Sequence, residues 1–308
     1  MHTHLQHDTP TPSRPAHSRL AGVVAATKTV LLLSALGGLV VTGGALLGGQ
    51  AGLVIGLAVG VALVAGSWWF SDRIAIAAAH ARPVAPDELP ELQATVAELA
   101  TRAGLPQPQL YLSPDPQPNA FATGRNPQHA VVAVTQGLLE LLPPEEVRGV
   151  LAHELGHVRN HDILLTSVAA ALATGLSALA NMAAFGMMFG GQNDDDEGPG
   201  LLGTLALLLV APIAATLLQL ALSRNREFEA DRAGAQLLRD DGRPLAHALE
   251  RIDAHAHAQP MRINPSQAQA WIINPLGAAQ GITRLFSTHP PVSERVARLT
   301  GNADRILP

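Results

Sequence analysis

Long stretches without a charged side chain alternate with polar segments along this chain. From Thr29 to Ser71 no residue is charged, and Ile163–Asn193 and Gly198–Ser223 repeat the pattern on either side of Asp194-Asp195-Asp196-Glu197. About 20 apolar residues in a helix cross a bilayer. The first stretch therefore accommodates two helices, residues 29–47 and 51–70, turning at Gly48-Gly49-Gln50. The second pair of stretches accommodates two more, joined by the acidic loop. The length of the first stretch argues against a cleaved signal peptide. Gly44, Gly48, Gly52, Gly56 and Gly60 recur every four residues, a spacing that lets helices approach closely in lipid. Trp68-Trp69-Phe70 closes the second helix like an interfacial aromatic belt.

Between the apolar stretches the pattern is that of a water-facing domain. Asp87-Glu88-Leu89-Pro90-Glu91 leads into Leu92, Val96 and Leu99, an amphipathic helix ending at Gly104. Gln109–Leu112 and Ala130–Thr135 read as strands, and 119–124 as a further one after the breakers Pro114–Pro118. Pro143-Pro144-Glu145-Glu146 starts a helix, with proline in its first turn and acids at the positive end of its dipole. The resulting order is a polar tail at 1–28, an apolar hairpin at 29–71, and the first part of a polar domain at 72–162. A second apolar hairpin at 163–222 and the remainder of the polar domain at 223–308 follow. The predicted fold class is an α-helical integral membrane protein with about four transmembrane helices and an α+β domain.

Composition agrees with that division. The chain is 47% hydrophobic and 15% charged, with 3% aromatic residues, and so apolar in aliphatic and small side chains. A net charge of −5 with no basic block excludes a nucleic-acid partner. There is no cysteine, so any metal site must use histidine and carboxylate. Basic residues lie on one side only. Arg14, Arg19 and Lys28, Arg73 and Arg82, Arg148 and Arg159, and Arg224 and Arg226 flank the outer ends of the hairpins, whereas the two turns carry none. The positive-inside rule then puts both termini and the polar domain in the cytoplasm, in a cell or inner membrane.

The decisive chemistry is His153-Glu154-Leu155-Gly156-His157. On a helix, residues four apart share a face, so both imidazoles can point at one zinc ion. Glu154, beside the first ligand, can take a proton from the attacking water. A catalytic zinc usually has three protein ligands and an open position. The third ligand is sought downstream as a carboxylate, in Ser223–Asp231, where Glu227 and Glu229 compete. They lie about 200° apart around a helix, so both cannot face one metal. Folding the second hairpin away brings this segment to the same membrane face as the motif.

Together, His153–His157, Arg226-Glu227-Phe228-Glu229-Ala230-Asp231, Thr288-His289-Pro290-Pro291 and Asn119-Ala120-Phe121-Ala122 resemble the motifs of HtpX-type membrane zinc peptidases, relatives of the CAAX prenyl peptidases. The resemblance covers nearly all of 29–300. It implies a zincin-like (gluzincin) peptidase domain with one Zn2+ per chain, Glu227 as third ligand and Asp231 as the partner that orients a ligand histidine. It also implies that His289 steadies the carbonyl oxyanion. A helix-entry turn before Glu294–Leu299 is the alternative reading of His289. Asn119, Ala120, Phe121 and Ala122 would form an edge strand to which substrate adds by main-chain hydrogen bonds. The implied function is stress-response quality control, with misfolded or damaged membrane proteins cut at the cytoplasmic face. The implied partners are polypeptide substrates and the lipid bilayer. A prenyl-protein or peptide-processing peptidase is the nearest alternative, and a membrane scaffold with an inactive domain the non-enzymatic one. His80, His129, His161, His247, His255 and His257 have no supporting constellation.

Overall fold

The computed structural model describes residues 16–164, 224–239, 241–258 and 290–301. The second apolar hairpin, apart from its first two residues, and His289 lie outside the described residues. The chain opens with α1, Ala16–Ala78. This helix begins well before Thr29, where the tail was expected to end. Leu20, Ala21, Ala25 and Ala26 precede the apolar run, and no proline or charged cluster stops helix propagation there. The expected pair of helices is assigned as this one run. Gly49, in the middle of it, takes φ 56, a left-handed value outside the α-helical region. No helix among the described residues is long and apolar enough to cross a membrane.

A four-stranded sheet follows, in the order β1-β2-β4-β3. β1 is Arg82–Pro83, β2 Gln109–Ser113, β3 Ala120–Thr123 and β4 Val131–Thr135. β4 is buried along its whole length, as expected for an unbroken Val-Val-Ala-Val run at the centre of a sheet. It pairs in parallel with β2 and antiparallel with β3, which leaves β3 at an edge. The helix α2, Pro90–Ala103, begins with proline at its first position and ends at Gly104 with φ 67. The short α3, Gln136–Leu141, has Thr135 as its N-cap, whose side chain accepts from the Leu138 N–H. The sequence pattern did not reveal α3 or the two-residue β1.

At the centre stands α4, Pro144–Asn160, with Glu145 and Glu146 in its first turn and an end at His161 with φ 66. Most of its length is buried, between α2 and β3 on one side and two later helices on the other. Those are α5, Arg224–Leu237, and α6, Arg243–Ala258. Val150, Leu151 and Leu155 of α4 join Leu99, Val132 and Leu249 in one apolar core. Ion pairs fix the helices around that core. Arg251 of α6 holds Glu146 through two hydrogen bonds of 2.8 and 2.9 Å. Arg148 reaches Glu98 of α2 at 2.7 Å. The last helix, α7, Val292–Leu299, lies against α5 and α6. Arg298 stacks over Phe228 at 3.5 Å.

Candidate metal centre

The site forms where α4 crosses α5 at backbone distance. A Cβ on Gly156 would lie 2.8 Å from the Ala230 carbonyl oxygen, and one on Gly234 would lie 3.0 Å from the His153 nitrogen. Only glycine permits this approach. The crossing carries Glu227, in the first turn of α5, up to the two histidines of α4. His153 Nε2 and His157 Nε2 are 3.2 Å apart, with their rings edge to face at 86°. Glu227 Oε1 is 3.7 Å from His157 Nε2, and Oε2 is 3.8 Å from His153 Nε2. The edge of a tetrahedron of ligands about 2.05 Å from a zinc ion is about 3.3 Å. These three donors, mutually within 4.8 Å, can hold a metal ion. Glu229 is exposed and accepts a hydrogen bond from Asn225, 2.9 Å away and facing out of the site.

Each imidazole is held from behind. His153 Nδ1 lies 2.9 Å from Asp231 Oδ1, and His157 Nδ1 lies 2.9 Å from Asp162 Oδ2. A carboxylate can only accept, so each Nδ1 donates to it and each Nε2 is turned to the position a metal would take. Asp231 stands where the resemblance put the partner of a ligand histidine. Asp162 was missed by sequence reasoning. It sits just past the C-terminus of α4, and the left-handed turn at His161 folds it back, its N–H reaching the His157 carbonyl at 3.2 Å. An aspartate following a helix of His-x-x-x-His spacing was the available signal.

Arg295 was missed as well. Its guanidinium is fully buried and grips Asp231 through Nε at 2.9 Å and Nη2 at 2.7 Å. Nη1 lies 4.0 Å from Glu227. Burial pushes the Asp231 carboxyl up, but the Arg295 charge and the hydrogen bonds from His153 and Arg295 outweigh it and hold it near 2. Burial likewise lowers His157, yet the Asp162 hydrogen bond and the Glu227 charge overcome it and raise the imidazole to about 9.

Glu154 points the other way, towards the sheet. Its Oε2 accepts the Ala122 N–H at 2.8 Å. Burial raises its pKa, against the lowering influence of His153, His157 and that hydrogen bond. The expected substrate strand divides into two kinds of residue. Asn119 is committed to β4, with its N–H on Thr135 Oγ1 at 2.8 Å and its carbonyl accepting from the Thr135 N–H at 2.9 Å. Alternation along an antiparallel pair then turns the main chain of Phe121 to β4 and that of Ala120 and Ala122 to the open edge. Among the described residues, three further histidines have partners of their own. His129 bonds Asn126 at 2.7 Å, His161 the Arg159 carbonyl at 3.0 Å and His257 the Asp253 carbonyl at 2.8 Å.

Residues 86–303 match Peptidase family M48. The chain belongs to that family. It is 47% identical over 283 residues to a "Protease HtpX homolog" of Persephonella marina, covering 91% of this chain and 98% of the relative. A second "Protease HtpX homolog", from Syntrophobacter fumaroxidans, is 46% identical over 276 residues, covering 88% and 97%. Among solved structures, the crystal structure of S. mikatae Ste24p aligns with a TM-score of 0.49 at 19% identity, over 91% of this chain and 67% of that one. The M48 chain is accordingly a metalloprotease of the HtpX type, with an M48 peptidase fold. The His153, His157 and Glu227 cluster lies within the matched region and can hold the metal ion that the family requires.

Proposed function

We propose that this M48 chain is a zinc endopeptidase, anchored in a cell or inner membrane by about four helices, that cuts misfolded or damaged membrane proteins at the cytoplasmic face. The observation that carries the zinc assignment is the triangle of His153 Nε2, His157 Nε2 and Glu227, with edges of 3.2, 3.7 and 3.8 Å, in a chain without cysteine. These three residues would hold one ion. When bound, zinc supplies a Lewis acid that activates water and polarises the peptide carbonyl. Asp231 and Asp162 keep the imidazoles oriented, and Arg295 keeps Asp231 charged and fixed. Glu154 accepts a proton at Oε1 while the Ala122 N–H holds Oε2, and returns it to the leaving amine. Its burial, which raises its proton affinity, suits it to both steps. Substrate adds in extended form to the open edge of β3 through the main chain of Ala120 and the carbonyl of Ala122, a mode with little side-chain selectivity that fits the clearance of unfolded segments. His289 is assigned to the oxyanion on resemblance.

Two experiments test this reading. Metal analysis should find one zinc per chain in wild type and in Glu229→Ala, and weakened binding in Glu227→Ala. Loss of zinc from Glu229→Ala with retention in Glu227→Ala contradicts the ligand set. For topology, single cysteines introduced into this cysteine-free chain are labelled in intact cells with an impermeant maleimide. The reagent should reach a cysteine at Asp195 and not one at Ala254. Labelling at Ala254 alone inverts the orientation, and labelling at neither removes the second hairpin from the membrane.

A further inference from the structure

Every large apolar side chain that is exposed among the described residues lies on α1, and they end abruptly. They run from Leu31 through Val54, Ile55 and Val61 to Trp69 and Phe70, after which come Ser71, Asp72 and Arg73. This change from apolar to charged marks a level on the molecule. Two arginines sit at that level against the aromatic rings. Arg73 lies over Phe70 at 5.6 Å, and Arg125 lies over Trp69 at 4.7 Å. Arg125 does not belong to α1. It stands two residues beyond β3, the edge strand whose Ala122 N–H holds Glu154. α1 packs against β3 and α4, and just past its end Ser113 of β2 donates to the Ala79 carbonyl at 2.6 Å.

We propose that Trp69, Phe70, Arg73 and Arg125 form a collar seated in the headgroup layer of the bilayer. The collar sets how far from the membrane a substrate is cut. This rests on the membrane-anchored peptidase reading above and adds a substrate class, the extended segments that directly leave the bilayer. Aromatic rings with apolar bodies and polar edges favour that layer, and arginines beside them meet lipid phosphates. The strand links collar and cleft rigidly. Ala122 and Arg125 are three residues apart, at most about 11 Å between Cα atoms. Allowing for the arginine side chain, the proton acceptor lies within about 20 Å of headgroup level. An extended substrate advances about 3.3 Å per residue, so the scissile bond falls within roughly six residues of the end of a membrane span.

The test uses the full-length, zinc-loaded chain in vesicles of phosphatidylcholine and phosphatidylglycerol. The substrate is a single-span helix followed by a long unstructured tail, and the bonds cut are mapped by mass spectrometry. Cuts clustered within roughly six residues of the span support the collar. Spreading of the cuts along the tail in a Trp69→Ala, Arg125→Glu variant supports it further, whereas clustering unchanged in that variant overturns it. Cuts spread evenly along the tail by the wild type also overturn it. The tail offered alone as a soluble peptide in detergent separates the two layers of the account. If it is cleaved while the anchored substrate shows no clustering, only the collar fails. If it is not cleaved by the wild type, the peptidase reading fails and this proposal with it.

Discussion

At the scale of single residues, the site is a set of histidines whose outer nitrogens are already committed. With Nδ1 of His157 donating to Asp162 and its pKa raised to about 9, the imidazole of the metal-free protein is charged at neutral pH. A metal must displace a proton from Nε2 to bind. Zinc binding at pH 7 should therefore release a proton from His157, and the apparent affinity should rise with pH until about 9. Calorimetry in buffers of different ionisation enthalpy reads this directly. An affinity flat between pH 7 and 9 contradicts the assignment. Asp162→Asn should lose about 10- to 100-fold in zinc affinity, the usual cost of removing a partner of a ligand histidine. The sign for the folded, metal-free protein is opposite. Because the folded pKa exceeds the ordinary 6.5, this histidine's contribution to stability is fully present below about 6.5 and lost as pH rises through about 9. His153, Glu154 and His157 were legible in the sequence because four-residue spacing translates directly into a shared helical face. Asp162 and Arg295 were not. One depends on a left-handed turn at His161, the other on a helix some 140 residues from the motif.

At the scale of elements, the sequence marked where strands and helices lie more readily than how closely they meet. The end of α2 at Gly104, the Pro-Pro-Glu-Glu start of α4 and the three longer strands follow from caps and alternation. The contact between α4 and α5 does not, because glycines inside a helix look like a local defect until the partner helix is known. Gly156→Ala puts a methyl group 2.8 Å from the Ala230 carbonyl oxygen, so α5 must move away. Overpacking of this kind costs about 1–3 kcal/mol. The movement draws Glu227 from the histidines as well. Urea denaturation and a zinc titration of this variant should both show loss. Unchanged stability together with unchanged zinc affinity refutes the backbone-level crossing as the device that assembles the site.

At the scale of the whole molecule, one polypeptide combines the α1 run, a small mixed sheet and a bundle around α4. The chain returns to the centre three times, at α4, α5 and α7, to supply His153, Glu154 and His157, then Glu227, then the arginine that holds Asp231. That division of labour across distant segments explains why the motif is legible in the sequence and its supports are not. It also yields one decisive comparison. Glu154 is adjacent to His153 yet turned to the sheet, 2.8 Å from the Ala122 nitrogen, and we propose that it serves as proton acceptor without holding the metal. Glu154→Gln should therefore keep one zinc per chain while hydrolysis of an unfolded polypeptide falls to background. Near-normal turnover by that variant, or loss of its zinc, contradicts the account.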